Sequence, residues 1–288
     1  MTAVVRMMYF ALISGVLNAM AVIGIFPVFE NFFGITTIFK LYELSDLNAP
    51  IFKKMLIRAP GTYNHSIMVA NMAEAACRDI GADFLLARVG GYYHDIGKID
   101  NAQIFIENKK NPNEPVDIPA KDYSRMIISH VEKGVEIAKK NKLPQNVIDF
   151  IREHHGDSMM TYFYHQALEK AQASGDLESV HRSYFQYPGP KPHTKETAVV
   201  MLADAIEAAS RSVQEPSYAK LESLVKKIIT TRLNEGDLDH SDLTMQDITS
   251  VQKSFLQILN GIFHTRLEYP QHDEIKKLEE RVKGNVKG

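Results

Sequence analysis

One cysteine, Cys77, stands in a chain of 288 residues. That scarcity excludes an intrachain disulfide framework and any cysteine-built zinc or iron–sulfur centre, and it fits a reducing compartment. Basic excess is missing too: 33 Lys and Arg face 35 Asp and Glu, a net charge of -2. No surface-wide positive field exists to hold long nucleic acid, so a nucleotide partner would have to be small. No internal repeat is found, and 45% hydrophobic and 24% charged residues describe a globular chain long enough for one large domain or about two average ones. With cysteine set aside, a metal must rely on His, Asp and Glu. Eleven histidines are present, several in tight local patterns, and histidine is the commonest metal ligand.

The first long feature is Met7 to Phe29, which carries no charged side chain and is long enough as a helix to cross a hydrocarbon core of about 30 Å. It reads as a membrane span, with residues 1–29 as the transmembrane segment. Ser14, Asn18 and Pro27 interrupt the run, and a buried or interfacial helix is its other reading. A cleaved signal peptide fits less well, because only Arg6 precedes the run and no small-residue cleavage site follows it. Lys40, Lys53, Lys54 and Arg58 beyond it place the C-terminal side in the cytoplasm. Residues 30–59 read as a juxtamembrane linker.

From Pro60 onward apolar residues recur at helical spacing, so the body is expected to be all-α, a helical domain over 60–270 with a charged tail at 271–288. Expected helices begin near Thr62, at Phe84 to Asp95, Ser124 to Lys140 and Pro144 to His155, near Thr194, after Pro216 and after Thr244, where Asp247 completes a capping-box pattern. Ile96-Gly97 breaks one helix. Glu107 to Pro119 reads as a loop by composition, and Tyr187-Pro-Gly-Pro-Lys-Pro192 as a rigid loop by its prolines.

The chemistry centres on His94-Asp95 at a helix end, where adjacent His and Asp side chains can turn toward one point and the carboxylate can bridge two cations. His65 lies on the preceding helix, His130 on the following one, and His154-His155 end the next. Asp204 sits inside the apolar run Val199 to Ala203, where a carboxylate needs a cation or a metal as partner. Taken singly, each histidine is compatible with a hydrogen-bonded core residue. As an ordered set of seven on five helices they suit a pair of divalent ions, and two ions about 3.5–4 Å apart suit phosphodiester hydrolysis.

These residues follow the H…HD…D pattern of the HD phosphohydrolase superfamily. The stretches Leu41-Tyr-Glu-Leu-Ser-Asp-Leu-Asn48, Ala59-Pro-Gly-Thr-Tyr63, Tyr93-His-Asp-Ile-Gly-Lys98, Ile128-Ser-His130, Glu153-His-His-Gly156, Tyr187-Pro-Gly-Pro-Lys-Pro192 and Met201-Leu-Ala-Asp204 resemble the seven-transmembrane HD family of cyclic di-AMP phosphodiesterases, PgpH type. The resemblance covers nearly the whole chain, which looks like the last membrane span plus the catalytic domain. It implies an HD-type helical bundle behind a single N-terminal transmembrane helix. It also implies one metal held by His65, His94, Asp95 and Asp204, and a second held by the bridging Asp95 with His130, His154 and His155. The ions implied are two divalent transition metals, manganese or iron. Asp95 and Lys98 become the catalytic pair, Lys98 facing a phosphate, and the reaction implied is hydrolysis of cyclic di-AMP to linear 5′-pApA at the cell membrane with the catalytic domain cytoplasmic. The chain departs from the family in carrying Asn64 before His65.

Alternatives stay open at this level. Another nucleotide, such as cyclic di-GMP, an alarmone or a nucleoside triphosphate, is one; a signalling module that binds without turnover is another. The surplus histidines His130, His154 and His155 argue against a mononuclear alarmone or triphosphate hydrolase, and Gly156-Asp157-Ser158 after the paired histidines argues against the cyclic di-GMP group. Lys98 is a phosphate contact or a solvated residue. Arg211 is a phosphate contact or the helix partner of Glu207. Tyr187 stacks a purine or is simply packed. His165, His181, His193, His240, His264 and His272 lack partners at ligand spacing, and surface or local structural roles suffice for them.

Overall fold

A computed structural model describes residues 2–109, 111 and 118–264. Eleven α-helices account for most of them: α1 Thr2–Phe33, α2 Ile38–Leu44, α3 Pro50–Arg58, α4 Pro60–Asp79, α5 Phe84–Tyr93, α6 Ala120–Lys140, α7 Gln145–Glu153, α8 Thr161–Ser174, α9 Lys195–Ser210, α10 Tyr218–Asn234 and α11 Met245–His264. No strand occurs among the described residues, only an isolated antiparallel bridge between Met159 and Gln186. The all-α expectation holds.

The caps explain several boundaries. Asp83 accepts from the Leu86 N–H to start α5, and Thr194 with Thr197 forms a capping box at α9. At α11 the expected box is made in both directions: Thr244 Oγ1 accepts from Asp247 N–H at 3.1 Å while Asp247 Oδ2 accepts from Thr244 N–H at 3.0 Å. Two starts differ from the sequence reading. Helix α4 begins at Pro60, because Pro suits a first turn and Asn108 Oδ1 accepts from the free Gly61 and Thr62 N–H groups. Helix α6 begins at Ala120, a turn before Ser124, directly after Pro119.

Two apolar cores lie on either side of α4 and α5. The first gathers Val69, Met72 and Ala76 of α4 with the apolar run of α9, Val199 to Ala203, and with α10 and α11. The second joins Tyr92 and Tyr93 of α5 to α7 and, unexpectedly, to Leu41, Leu44, Phe52 and Met55. Residues 30–59 are therefore not a linker throughout: α2 and α3 bury apolar side chains, and at about 1.5–3 kcal/mol per fully buried side chain they are structural parts of the body. The run read as a membrane span lies in α1, whose window Ala3–Ile25 has mean hydropathy 2.0 and no residue buried. It is the one helix among the described residues long and apolar enough to cross a membrane. The tail 271–288, residues 265–270 and most of the loop Glu107 to Pro119 lie outside the described residues.

Candidate metal centre

Five elements deliver seven side chains to one place. Helix α5 ends with His94 as its C-cap, and a 3₁₀ stretch, Ile96–Ile104, starts after Asp95, so the change of helix type turns both side chains inward. Two glycines let neighbouring helices come close enough. A Cβ on Gly91 would meet the Ala70 Cα at 2.6 Å, so α4 passes flush against α5 and brings His65 beside His94. A Cβ on Gly97 would collide with the His130 carbonyl oxygen, so the 3₁₀ stretch lies directly on α6 and sets His130 beside Asp95. His154 caps the end of α7, with His155 following, and Asp204 projects from the middle of α9.

The two oxygens of Asp95 face opposite ways. Oδ2 lies 3.6 Å from His65 Nε2 and 3.3 Å from His94 Nε2; Oδ1 lies 3.3 Å from His130 Nε2 and 3.6 Å from His154 Nε2. Asp204 completes the first side, with Oδ1 2.9 Å from His65 Nε2 and 3.9 Å from His94 Nε2. Its other oxygen stands 3.7 Å from His155 Nδ1. The residues thus fall into two clusters with metal-binding spacing, His65–His94–Asp95 and His130–His154–His155.

Four of the five histidines are oriented by a bond at the far nitrogen. His94 Nδ1 donates to Gly91 O at 2.8 Å, His130 Nδ1 to Ile127 O at 2.7 Å and His154 Nδ1 to Ile151 O at 3.0 Å, while His65 Nδ1 meets Glu207 Oε2 at 2.5 Å. With Nδ1 carrying the proton, Nε2 presents a lone pair to the centre, the arrangement of metal-bound imidazoles. Its consequence is sharp at His130 and His154, whose Nε2 atoms stand 3.2 Å apart. Two lone pairs aimed at each other repel unless a cation lies between the rings. His94 Nε2 and Asp95 Oδ1 are buried with no hydrogen-bond partner, a costly arrangement for polar atoms unless a cation meets them, whereas Asp95 Oδ2 has the Lys98 ammonium at 2.6 Å. The donor set therefore fits divalent metal ions.

The electrostatics agree. Burial alone would raise the Asp95 carboxyl, but Lys98 and the surrounding imidazoles outweigh it and hold the group well below the ordinary carboxylate range. Asp204 is held low against its own burial by His65 and His155. Burial pushes His154 down to about 4 and His155 well below its ordinary value, the neighbouring imidazoles adding to the effect, so both stay neutral and able to ligate. His65 is the exception, raised to about 9: burial opposes its protonation, and Asp204 and Glu207 overcome that opposition, so its Nε2 holds a proton toward Asp204 at 2.9 Å, which a metal ion would have to displace.

Lys98 is no solvated residue. Its ammonium is buried 2.6 Å from Asp95 Oδ2 and 3.1 Å from Glu107 Oε1. Arg211 makes the helix pair, Nε and Nη2 donating to Glu207 Oε1 at 2.9 and 2.7 Å. Tyr187 is packed, one face of its ring on His155 with centroids 4.2 Å apart. All three nevertheless line a cavity of about 580 Å³ whose floor is His65, His130, His155 and Asp204 and whose apolar wall includes Phe105, Ile106 and Ile127. Two functional neighbours were missed in the sequence. Glu207, read only as the partner of Arg211, also orients His65, and its spacing three residues after Asp204 was the available signal. Glu107 sits in what reads as a loop, where nothing marks it as the partner of Lys98 and of Thr62 Oγ1.

Comparison with known proteins gives a consistent picture. The HD domain pattern matches residues 62–209. The chain is 42% identical over 92% of its length to the cyclic-di-AMP phosphodiesterase PgpH of Bacillus subtilis, and 43% identical over 86% to that of Listeria monocytogenes. It spans 37% and 34% of those two relatives. Among solved structures, the HD domain of L. monocytogenes PgpH in complex with cyclic di-AMP superposes with a TM-score of 0.70 at 42% identity, covering 76% of this chain and all of that one.

Proposed function

The chain belongs to the HD-domain family, and from that premise we propose that it is a metal-dependent phosphodiesterase that opens cyclic di-AMP to the linear dinucleotide 5′-pApA. One observation carries the reaction class: a single buried carboxylate, Asp95, turns one oxygen to each of two histidine clusters at the floor of an open cavity. The base choice rests on the relatives, above all the HD domain described with cyclic di-AMP bound.

In this reading His65, His94, Asp95 and Asp204 hold one divalent ion, and Asp95, His130, His154 and His155 hold the other, manganese or iron in each case. When bound, the ions supply the Lewis acidity that activates a water and offsets negative charge on the phosphate. The chain's own groups do the rest. Asp95 and Asp204, both ionised, provide the anionic charge that draws cations into a buried place. The backbone-tied Nδ1 atoms fix the ring tautomers, so no reorganisation is needed when substrate arrives. The ammonium of Lys98 reaches the cavity floor and stabilises the charge that grows on the non-bridging oxygens as water oxygen bonds to phosphorus and the 3′ oxygen leaves. Phe105, Ile106 and Ile127 offer an apolar wall for a base, and Arg211 a cationic edge. The apolar helix α1 anchors the chain in the cell membrane, with the catalytic body in the cytoplasm.

The test is a comparison of turnover. The manganese- or iron-loaded protein should hydrolyse cyclic di-AMP with a kcat/KM at least about tenfold above that for cyclic di-GMP, roughly 1.4 kcal/mol in transition-state binding. An alarmone and a deoxynucleoside triphosphate should be poor substrates. Faster cleavage of cyclic di-GMP would overturn the base assignment, and binding of either dinucleotide without product would make the chain a receptor.

A further inference from the structure

Helix α2 has two unlike faces. Leu41 and Leu44 are buried in the second core, whereas Ile38, Phe39 and Tyr42 are exposed, Phe39 at 73% and Tyr42 at 61% of their surface. Tyr42 follows Phe39 by three residues and Ile38 by four, so it neighbours both on one side of the helix, and Ile35, just ahead of α2, is 60% exposed. Single exposed apolar side chains are ordinary, but four within eight residues form a patch that asks for a cover.

We propose that this face of α2 lies in the headgroup–acyl boundary of a bilayer, making α2 an interfacial helix that sets how the catalytic body sits on the membrane. The inference rests on reading α1 as a membrane span. The tether selects lipid as the cover. The uncharged run ends at Phe29, and the last turn of α1 to Phe33 rises about 6 Å, roughly one headgroup layer. Gly34, at φ +64°, ends the helix, and the four residues 34–37 span at most about 14 Å, so α2 is held at the interface. The tether is itself fastened to the body, Thr36 Oγ1 donating to Asn146 Oδ1 in the first turn of α7 at 2.7 Å. An apolar face with Phe and Tyr beside a polar, basic flank is the composition that settles at this depth. Lys40, next to Phe39 and paired with Glu43 at 3.0 Å, supplies that flank.

The protein has no tryptophan, so a single introduced one reports its own surroundings in the full chain. Phe39→Trp, reconstituted in phosphatidylcholine–phosphatidylglycerol bilayers, is expected to emit at shorter wavelength and to lose at least about half its intensity when the upper acyl carbons are brominated, the depth reached by interfacial helices. Leu12→Trp in α1 should be quenched by bromines placed deeper, and Tyr162→Trp on α8 by neither. If Leu12→Trp is quenched and Phe39→Trp is not, the inference falls while the span stands. If neither is quenched, the span reading falls and takes the inference with it. Protection of Phe39→Trp from acrylamide that grows with protein-to-lipid ratio, without bromine quenching, would mean that a second copy covers α2 and would overturn the proposal. So would equal quenching at Tyr162→Trp.

Discussion

Asp95 stands between the two histidine clusters and turns a different oxygen to each, so in the proposed reading both ions depend on it. Asp95→Ala should therefore lose about two ions per chain, while His154→Ala, which touches one cluster, should keep about one. Elemental analysis after anaerobic loading checks this, and equal losses in the two variants would count against the bridge. Glu207 acts at one remove. Its Oε2 fixes His65, and its Oε1 is gripped by both Arg211 donors. Removing the charge but not the shape, Glu207→Gln should weaken manganese binding about 10–100-fold, the usual cost of losing a partner that orients a ligating histidine, with the helical circular dichroism unchanged. Titration calorimetry of the apo protein gives the affinity directly. An unchanged value would confine Glu207 to its pairing with Arg211.

At the scale of elements, the centre is a matter of how closely helices approach. Gly97 is the contact between the 3₁₀ stretch and α6, and a methyl group there runs into the His130 carbonyl and the Gly134 N–H. Both are backbone atoms with no rotamer to yield, so Gly97→Ala should cost about 1–3 kcal/mol by overpacking and should also weaken metal binding by moving His130. Gly261 in α11 provides the contrast, since nothing lies within 4 Å of its ideal Cβ. There an alanine should stabilise the helix by about 0.5–1 kcal/mol. Thermal melts of the two variants with and without manganese separate the effects: a Gly97→Ala protein that melts and binds metal like the parent would remove the argument that this glycine sets the position of His130.

At the scale of the whole molecule, α1 stands apart from the two apolar cores of the body. Among the described residues neither core includes a side chain before Leu41, so a chain lacking residues 1–33 should keep its fold and metal binding. Cys77 is a built-in reporter. It is buried in the first core, and burial together with Glu196 and Asp83 raises its thiol far above the ordinary range, so the thiolate that alkylating reagents require is scarce in the native state. Shortened and full-length protein should both label slowly at pH 8 and rapidly in urea. Faster labelling of the shortened protein under native conditions would show that α1 contributes to the core after all.

The sequence by itself marked the seven side chains that the fold brings together, and most of the helices. Local chemistry suffices for these: helix periodicity marks apolar faces, Thr244 and Asp247 cap whatever helix follows them, and His94-Asp95 before Ile-Gly announces a helix end that can turn two polar side chains toward one point. It also marked Asp204, because a carboxylate in an apolar helical run must meet a cation. What only the tertiary structure decided are facts about side chains distant in the chain. That Asp95 divides its oxygens between two clusters depends on two close helix contacts, at Gly91 and Gly97, which no local signal encodes. Glu107 was invisible because its role exists only where its loop crosses the start of α4 and meets Lys98. Likewise α2 and α3 look like a linker when read along the chain, since a short helix with a few apolar residues gains its stability from the surface it is packed against rather than from its own sequence.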